Sequence, residues 1–198
     1  MYRWLLVIVL LCVWTKSAYG DDASPSVPSF TLGLLVDALA EKNDIKIIYP
    51  ESLNNLILKS FIFTPESISY SELLTILNVH NYAMHKEGEI YVVKGKQYIR
   101  SSSIPLYVAG EKYHPSEVIT KAIYTQNVCV STLMPILRPL VPQHAHFAAN
   151  NAVGAILITD IFSNIQRIES IIMDIDSRTK KQKTCPSKDR VMMSSKKT

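Results

Sequence analysis

Near its C-terminal end the chain passes from an uncharged, mostly apolar stretch straight into a stripe of isoleucines. This junction constrains the fold more than any other feature. Val153–Thr159 reads VGAILIT and carries no charge. A run that is apolar at every second position and at the positions between has no water-facing side, so it predicts a central strand. Ile161, Ile165, Ile168, Ile172 and Ile175 then recur at spacings of four and three, which is one face of an amphipathic helix. So short a connection makes the helix fold back over the strand it follows. Asp160 or Ser163 is placed to cap it.

The preceding residues complete a unit around that pair. Glu117–Tyr124 alternates as a half-buried strand. Asn127–Val130 turns into a helix through Leu133, Ile136, Leu137 and Leu140, although Pro135 and Pro139 remove backbone donors and predict a late start or a kink. His144–Ala149 is another strand, with a turn at Asn150-Asn151 before the apolar run. The order over 116–177 is β-α-β-β-α, two helices on one face of a three-stranded sheet, as in KH-like folds.

A second unit precedes it, over 27–95. Val27–Leu32 reads as a short edge strand, followed by a helix carrying Leu34, Leu35, Ala38 and Leu39, with Asn43 suited to a left-handed cap. Ile45–Tyr49 and Leu56–Phe63 are strands rich in β-branched and aromatic residues. Ser69 and Glu72 form a capping box, and Ile68 and Leu73 a hydrophobic staple, for a helix running to about His80. Tyr82–His85 and Glu89–Lys94 make a hairpin around Gly88. Two helices against small sheets give an α+β sandwich. Residues 96–115, with three consecutive serines, Pro105, Gly110 and Pro115, read as a linker. Tyr107 and Val108 are expected to add a short strand to the first unit.

The two ends differ from this body. Met1–Gly20 has a basic Arg3, an apolar run from Trp4 to Trp14, and small residues at Ala18 and Gly20. That is a secretory signal with cleavage before Asp21, since the run falls short of the ~20 residues a membrane span needs. The net charge of +4 conceals a division. Asp21–Ser177 holds 11 Lys/Arg against 16 Asp/Glu, whereas 178–198 holds 8 against a single Asp. The body therefore offers no electrostatic case for nucleic acid, and the basic tail, without apolar periodicity, is expected to be disordered. An exported chain leaves three fates open for Cys129 and Cys185: a bond between them, two free thiols, or an intermolecular link.

Catalytic patterns are wanting. His144 and His146 are two apart, but no further ligand has recognisable metal spacing. The acidic pairs Asp21-Asp22, Glu87/Glu89 and Asp174/Asp176 lie at a terminus, a turn and a helix end. No nucleophile elbow or phosphate-cradling glycine loop is present. The expectation is no enzyme, no cofactor, no metal and no small-molecule substrate.

The segment from Glu117 to Asp176 resembles the second periplasmic ring domain of outer-membrane secretins, most closely those of type II secretion. Asn127-Val128 leading into Leu133–Pro142 matches a strand end and proline-bearing helix of that family, and Thr159-Asp160 followed by Ser163–Ile168 matches a second motif. Cys129 stands where the family has a capping Ser. Residues 27–94 resemble the preceding secretin domain, which is shared with the signalling domain of TonB-dependent receptors. The resemblance implies a periplasmic interaction module. It implies partners among secretion-system proteins, the inner-membrane platform component and the secretin, with side-by-side packing into homo-oligomeric rings as a further mode. Sheet-edge pairing is the implied mechanism, with Val27, Phe30 and Leu32 as candidate partner-binding residues. The later ring domains and the barrel have no counterpart in these segments, so a pore formed by this chain alone is not expected. Two alternatives are an envelope signalling module and a shortened secretin without function.

Overall fold

The structure, a computed structural model, describes residues 27–60, 62–181 and Cys185. The expected signal at Met1–Gly20 and most of the expected basic tail lie outside those residues.

In the first half, strand β1 (Ser29–Thr31) turns at once into helix α1 (Leu32–Asn43). Thr31 sets this boundary, because its Oγ1 accepts the Leu34 N–H at 3.2 Å and caps the helix. The predicted strand therefore ends one residue before Leu32. The left-handed cap falls on Asp44 (φ 50°) rather than Asn43, which stays helical and donates its side-chain amide to Leu39 O at 3.1 Å. Strand β2 (Lys46–Ile48), a 3-10 turn over Glu51–Asn55 and strand β3 (Ile57–Lys59) follow. Helix α2 (Tyr70–Val79) starts on the capping box: Ser69 Oγ accepts the Glu72 N–H at 3.3 Å, and Glu72 Oε2 accepts the Ser69 N–H at 2.9 Å. Ser69→Ala is expected to lower stability by about 1 kcal/mol in urea unfolding; an unchanged midpoint would mean that the box contributes nothing. Strands β4 (Tyr82–Glu87) and β5 (Ile90–Gly95) close their hairpin at Gly88, whose φ of 63° a side chain would resist.

β1 pairs antiparallel with β3, and a second sheet has the order β2-β5-β4, with β2 and β5 parallel. Leu35, Val36 and Leu39 of α1 meet Leu73, Leu74 and Leu77 of α2 in the core between them.

The first residues of 96–115 are not extended. Lys96–Ser101 winds into a 3-10 turn, and its Ile99 packs on Ala83 and Val118, joined by Ile104 and Ile161. Tyr107 donates its N–H to Thr120 O, and Thr120 donates to Pro105 O, both at 2.8 Å. The strand expected at Tyr107–Val108 thus becomes a parallel bridge at Leu106, and it joins the second half rather than the first. The edge of strand β6 (Val118–Tyr124) supplies the groups it needs.

The second half continues with helix α3 (Val130–Leu137), strands β7 (His146–Asn150) and β8 (Ala155–Ile161), and helix α4 (Phe162–Arg178). The sheet order is β6-β8-β7, antiparallel throughout, so the apolar run is central as its composition demands. Ile156 and Ile158 are fully buried under Leu133 and Leu137 of α3 and Ile165, Ile168 and Ile172 of α4. Pro135 sits inside α3, which is short and tightens into a 3-10 turn at Arg138–Leu140.

The helix starts are held differently from the sequence reading. No side chain caps α4. Its Phe162 and Ser163 N–H groups donate instead to Glu117 O at 2.8 Å and Pro115 O at 3.0 Å, carbonyls of the segment entering β6. Asp160 turns back on its neighbours, accepting the Ile161 N–H at 2.8 Å and the Asn164 side-chain amide. At α3, Cys129 occupies the cap position without capping, and Asn151 Oδ1 accepts the Ser131 N–H at 3.0 Å. Cys129 is bonded to Cys185, with Cα atoms 5.4 Å apart.

Candidate interaction surfaces

The β1–β3 ribbon is the smaller of the two sheets in the first half. Each of its strands has one edge that no other strand covers among the described residues. Such an edge presents N–H and C=O groups to whatever can pair with them. The structure disperses the three residues predicted to anchor a partner here. Val27 precedes β1 and is 39% exposed. Phe30 points inward, with its ring 5.6 Å from that of Phe63, and Leu32 is fully buried at the start of α1. Their side chains belong to the core, where Leu58 of β3 joins them.

The exposed apolar groups of this region are others. Ile57 on β3 is 69% exposed, Ile62 just beyond it 91%, and Leu34 in the first turn of α1 47%. Ile57 lies opposite Thr31 in the ribbon, and it alternates with the inward Leu56 and Leu58. That alternation was available in the sequence, but only Lys59 and Ser60 break the apolar character of Leu56–Phe63, too few polar residues to declare the wet face.

The second half leaves one sheet face free of its helices. There Tyr124 is 62% and Leu157 40% exposed. Leu157 stands between Ala122 and Ala148 in the register, and such small neighbours cannot cover it.

A cleft of about 360 Å³ lies where the halves meet, lined by residues that include Lys96, His144, Asp160 and Arg167. Burial pushes the Lys96 ammonium below its usual range, and the Asp160 carboxylate only partly opposes this. Burial likewise lowers His144, with Asp160 opposing and Lys96 adding. The charges are already engaged: Lys96 donates to Asn78 O at 2.9 Å and to the Asn78 side chain, and Asp160 accepts from Ile161 and Asn164. Leu140, Pro142 and Ile161 give the cleft an apolar side, and Ser163 and Asn164 complete its lining. Among the described residues, no group of three His, Cys, Asp or Glu is placed to hold a metal ion. His144 lines the cleft, and His146 is the first residue of β7.

The sharpest polar arrangement lies elsewhere. Asp176, 7% exposed near the end of α4, receives the backbone N–H groups of Gln126, Asn127 and Val128 at 3.0, 2.8 and 2.8 Å. Burial alone would raise its pKa, but the three donors outweigh it and hold the carboxyl below its ordinary value. Its role is to fix the loop that enters α3.

The described residues form two mixed α+β halves with open sheet edges, and none of their helices is long and apolar enough to cross a membrane. No protein-family model matches the chain. Over most of its length, however, it is homologous to the N-terminal domains of type II secretion secretins. Secretin XcpQ of Pseudomonas aeruginosa is 29% identical over 109 residues, covering 55% of this chain and 16% of XcpQ. Secretin GspD of Vibrio cholerae is 28% identical over 187 residues, covering 90% of this chain and 27% of GspD. The chain thus spans little more than a quarter of these relatives at most. In fold it matches a chain of the Klebsiella pneumoniae type II secretion outer membrane complex, which contains PulD, PulS and the PulC HR domain. That match has a TM-score of 0.63 at 20% identity and covers 77% of this chain and 26% of the other.

Proposed function

We propose that this chain is a non-enzymatic periplasmic module that docks onto secretion-system components, either the inner-membrane platform protein or the secretin ring. The observation that carries the reading is the open β1–β3 ribbon, flanked by exposed Ile57, Ile62, Leu34 and Val27, in the half whose sequence resembles the first secretin domain. Pairing at a strand edge gives affinity through the backbone, while neighbouring apolar side chains give specificity. The Klebsiella complex, in which PulD is accompanied by PulS and the PulC HR domain, supports partners of this class. The exposed face around Tyr124 and Leu157 would serve contacts to a second copy or to a secretin protomer. The two halves, 27–95 and 116–177, act in this reading as separate folding units joined by 96–115. A signalling module of the TonB-receptor type accounts for the first half only, so the secretin reading is preferred.

The test is affinity capture on the tagged protein from solubilised cell envelope, with the platform component and the secretin identified by mass spectrometry. Both or either should be recovered. Ile57→Asp, at an exposed site, should weaken capture at least about tenfold, as expected when a central contact loses about 1.4 kcal/mol. Recovery of neither protein, or undiminished capture by the variant, would remove the ribbon from the proposal.

A further inference from the structure

Cys129 and Cys185 are bonded across 56 residues of sequence, and their surroundings differ. Cys129 is 1% exposed, whereas Cys185 is half-buried. Cys129 also sits directly before Val130, the first residue of the eight-residue helix α3. Its own loop, 126–128, is the one that Asp176 grips through three N–H groups. Asp176 and Cys185 belong to the same stretch at and after the end of α4. The carboxylate and the disulfide therefore clamp one loop from one segment.

We infer that this pair is an oxidative modification site with a fixed order of reaction, Cys185 first and Cys129 second. The co-substrate is a disulfide-bearing thiol oxidant. The Cys185 thiolate attacks one sulfur of that disulfide; the oxidant's S–S bond breaks, and its other sulfur leaves as a thiolate. The Cys129 thiolate then attacks Cys185 Sγ; the mixed disulfide breaks, and the oxidant's second thiolate departs. The two cysteines lose two protons and two electrons, and the oxidant takes them up as a dithiol. Access sets the order, since exchange needs an accessible thiolate and Cys185 is the less buried partner. Burial suits Cys129 to the second step, because at 1% exposure it is closed to an external disulfide. The finished bond holds Cys185 at the residue before α3, and it requires an oxidising compartment. This inference stands independently of any docking partner.

The full chain, purified reduced, is treated with oxidised glutathione and followed by peptide mapping, which reads Cys12 separately. Wild type should end with Cys129 joined to Cys185 in a monomer and with no stable adduct at either. Cys129→Ser should stop at a glutathione adduct on Cys185. Brief alkylation of the reduced wild type should modify Cys185 at least about tenfold faster than Cys129, and denaturation should abolish the difference. This last comparison needs no variant, so a poorly folded Cys129→Ser does not weaken the test. Equal native rates, stable adducts on both cysteines, or disulfide-linked dimers would overturn the inference.

Discussion

Asp176→Ala should lower the unfolding free energy by about 3 kcal/mol at neutral pH. Three backbone N–H groups lose a charged acceptor together. A hydrogen bond to a charged group contributes roughly 1.5–3 kcal/mol, and the members of one network do not add fully. The acid side of the stability curve carries the same information. Because the donors hold the Asp176 carboxyl below its ordinary value, its contribution is complete above the unfolded carboxylate pKa of about 3.9 and is lost as pH falls through the lower folded value. Wild type should therefore lose part of its stability below about pH 4, and the alanine variant should lack that component. Asp176→Asn keeps one acceptor, so it should fall between the two at neutral pH and lose the acid dependence. Urea titrations at neutral and acid pH decide the matter. A neutral-pH loss below about 0.5 kcal/mol, the range of ordinary surface changes, would mean that the loop before α3 is held by other contacts.

Ile99→Asp should uncouple the two halves. Ile99 is 2% exposed and packs on Ala83 of β4 and Val118 of β6, so it joins strands from both. Removing a buried aliphatic side chain forfeits about 1.5–3 kcal/mol of transfer free energy, and a carboxylate there finds no partner. Each half keeps its own core, built on Leu35, Leu39 and Leu77 in one and on Ile158, Ile168 and Leu133 in the other. The expected result is a single thermal transition resolved into two, with new protease sensitivity between 96 and 115. A single transition at an unchanged midpoint would show that the seam contributes no coupling. Loss of both cores together would show that the halves do not fold separately.

The local signals in the sequence translated well where neighbouring residues alone decide the outcome. The Ser69/Glu72 box set the start of α2 because both partners lie within one turn. The central place of β8 followed from the uncharged run Val153–Thr159 that overlaps it, and the stripe at Ile165, Ile168 and Ile172 followed from helical spacing. Misplacements arose where a distant group won the competition. The Pro115 and Glu117 carbonyls took the N–H groups that Asp160 or Ser163 would have capped, and Leu106 joined β6 rather than the first half. Phe30 and Leu32 read equally as edge anchors or core, because a three-residue strand has too few positions to declare which face is wet.

The sequence by itself determined the α+β class, the order of elements, the buried helix stripes and the kinship with secretin N-terminal domains, because each rests on periodicity or on motifs held within short spans. Only the tertiary structure decided that Ile57 and Ile62 face solvent while Phe30 and Leu32 do not, that Ile99 links the halves, and that Asp176 and Cys185 converge on one loop before α3. Those outcomes depend on groups separated by tens of residues, and local pattern does not encode which of several equally suitable partners the folded chain brings within reach.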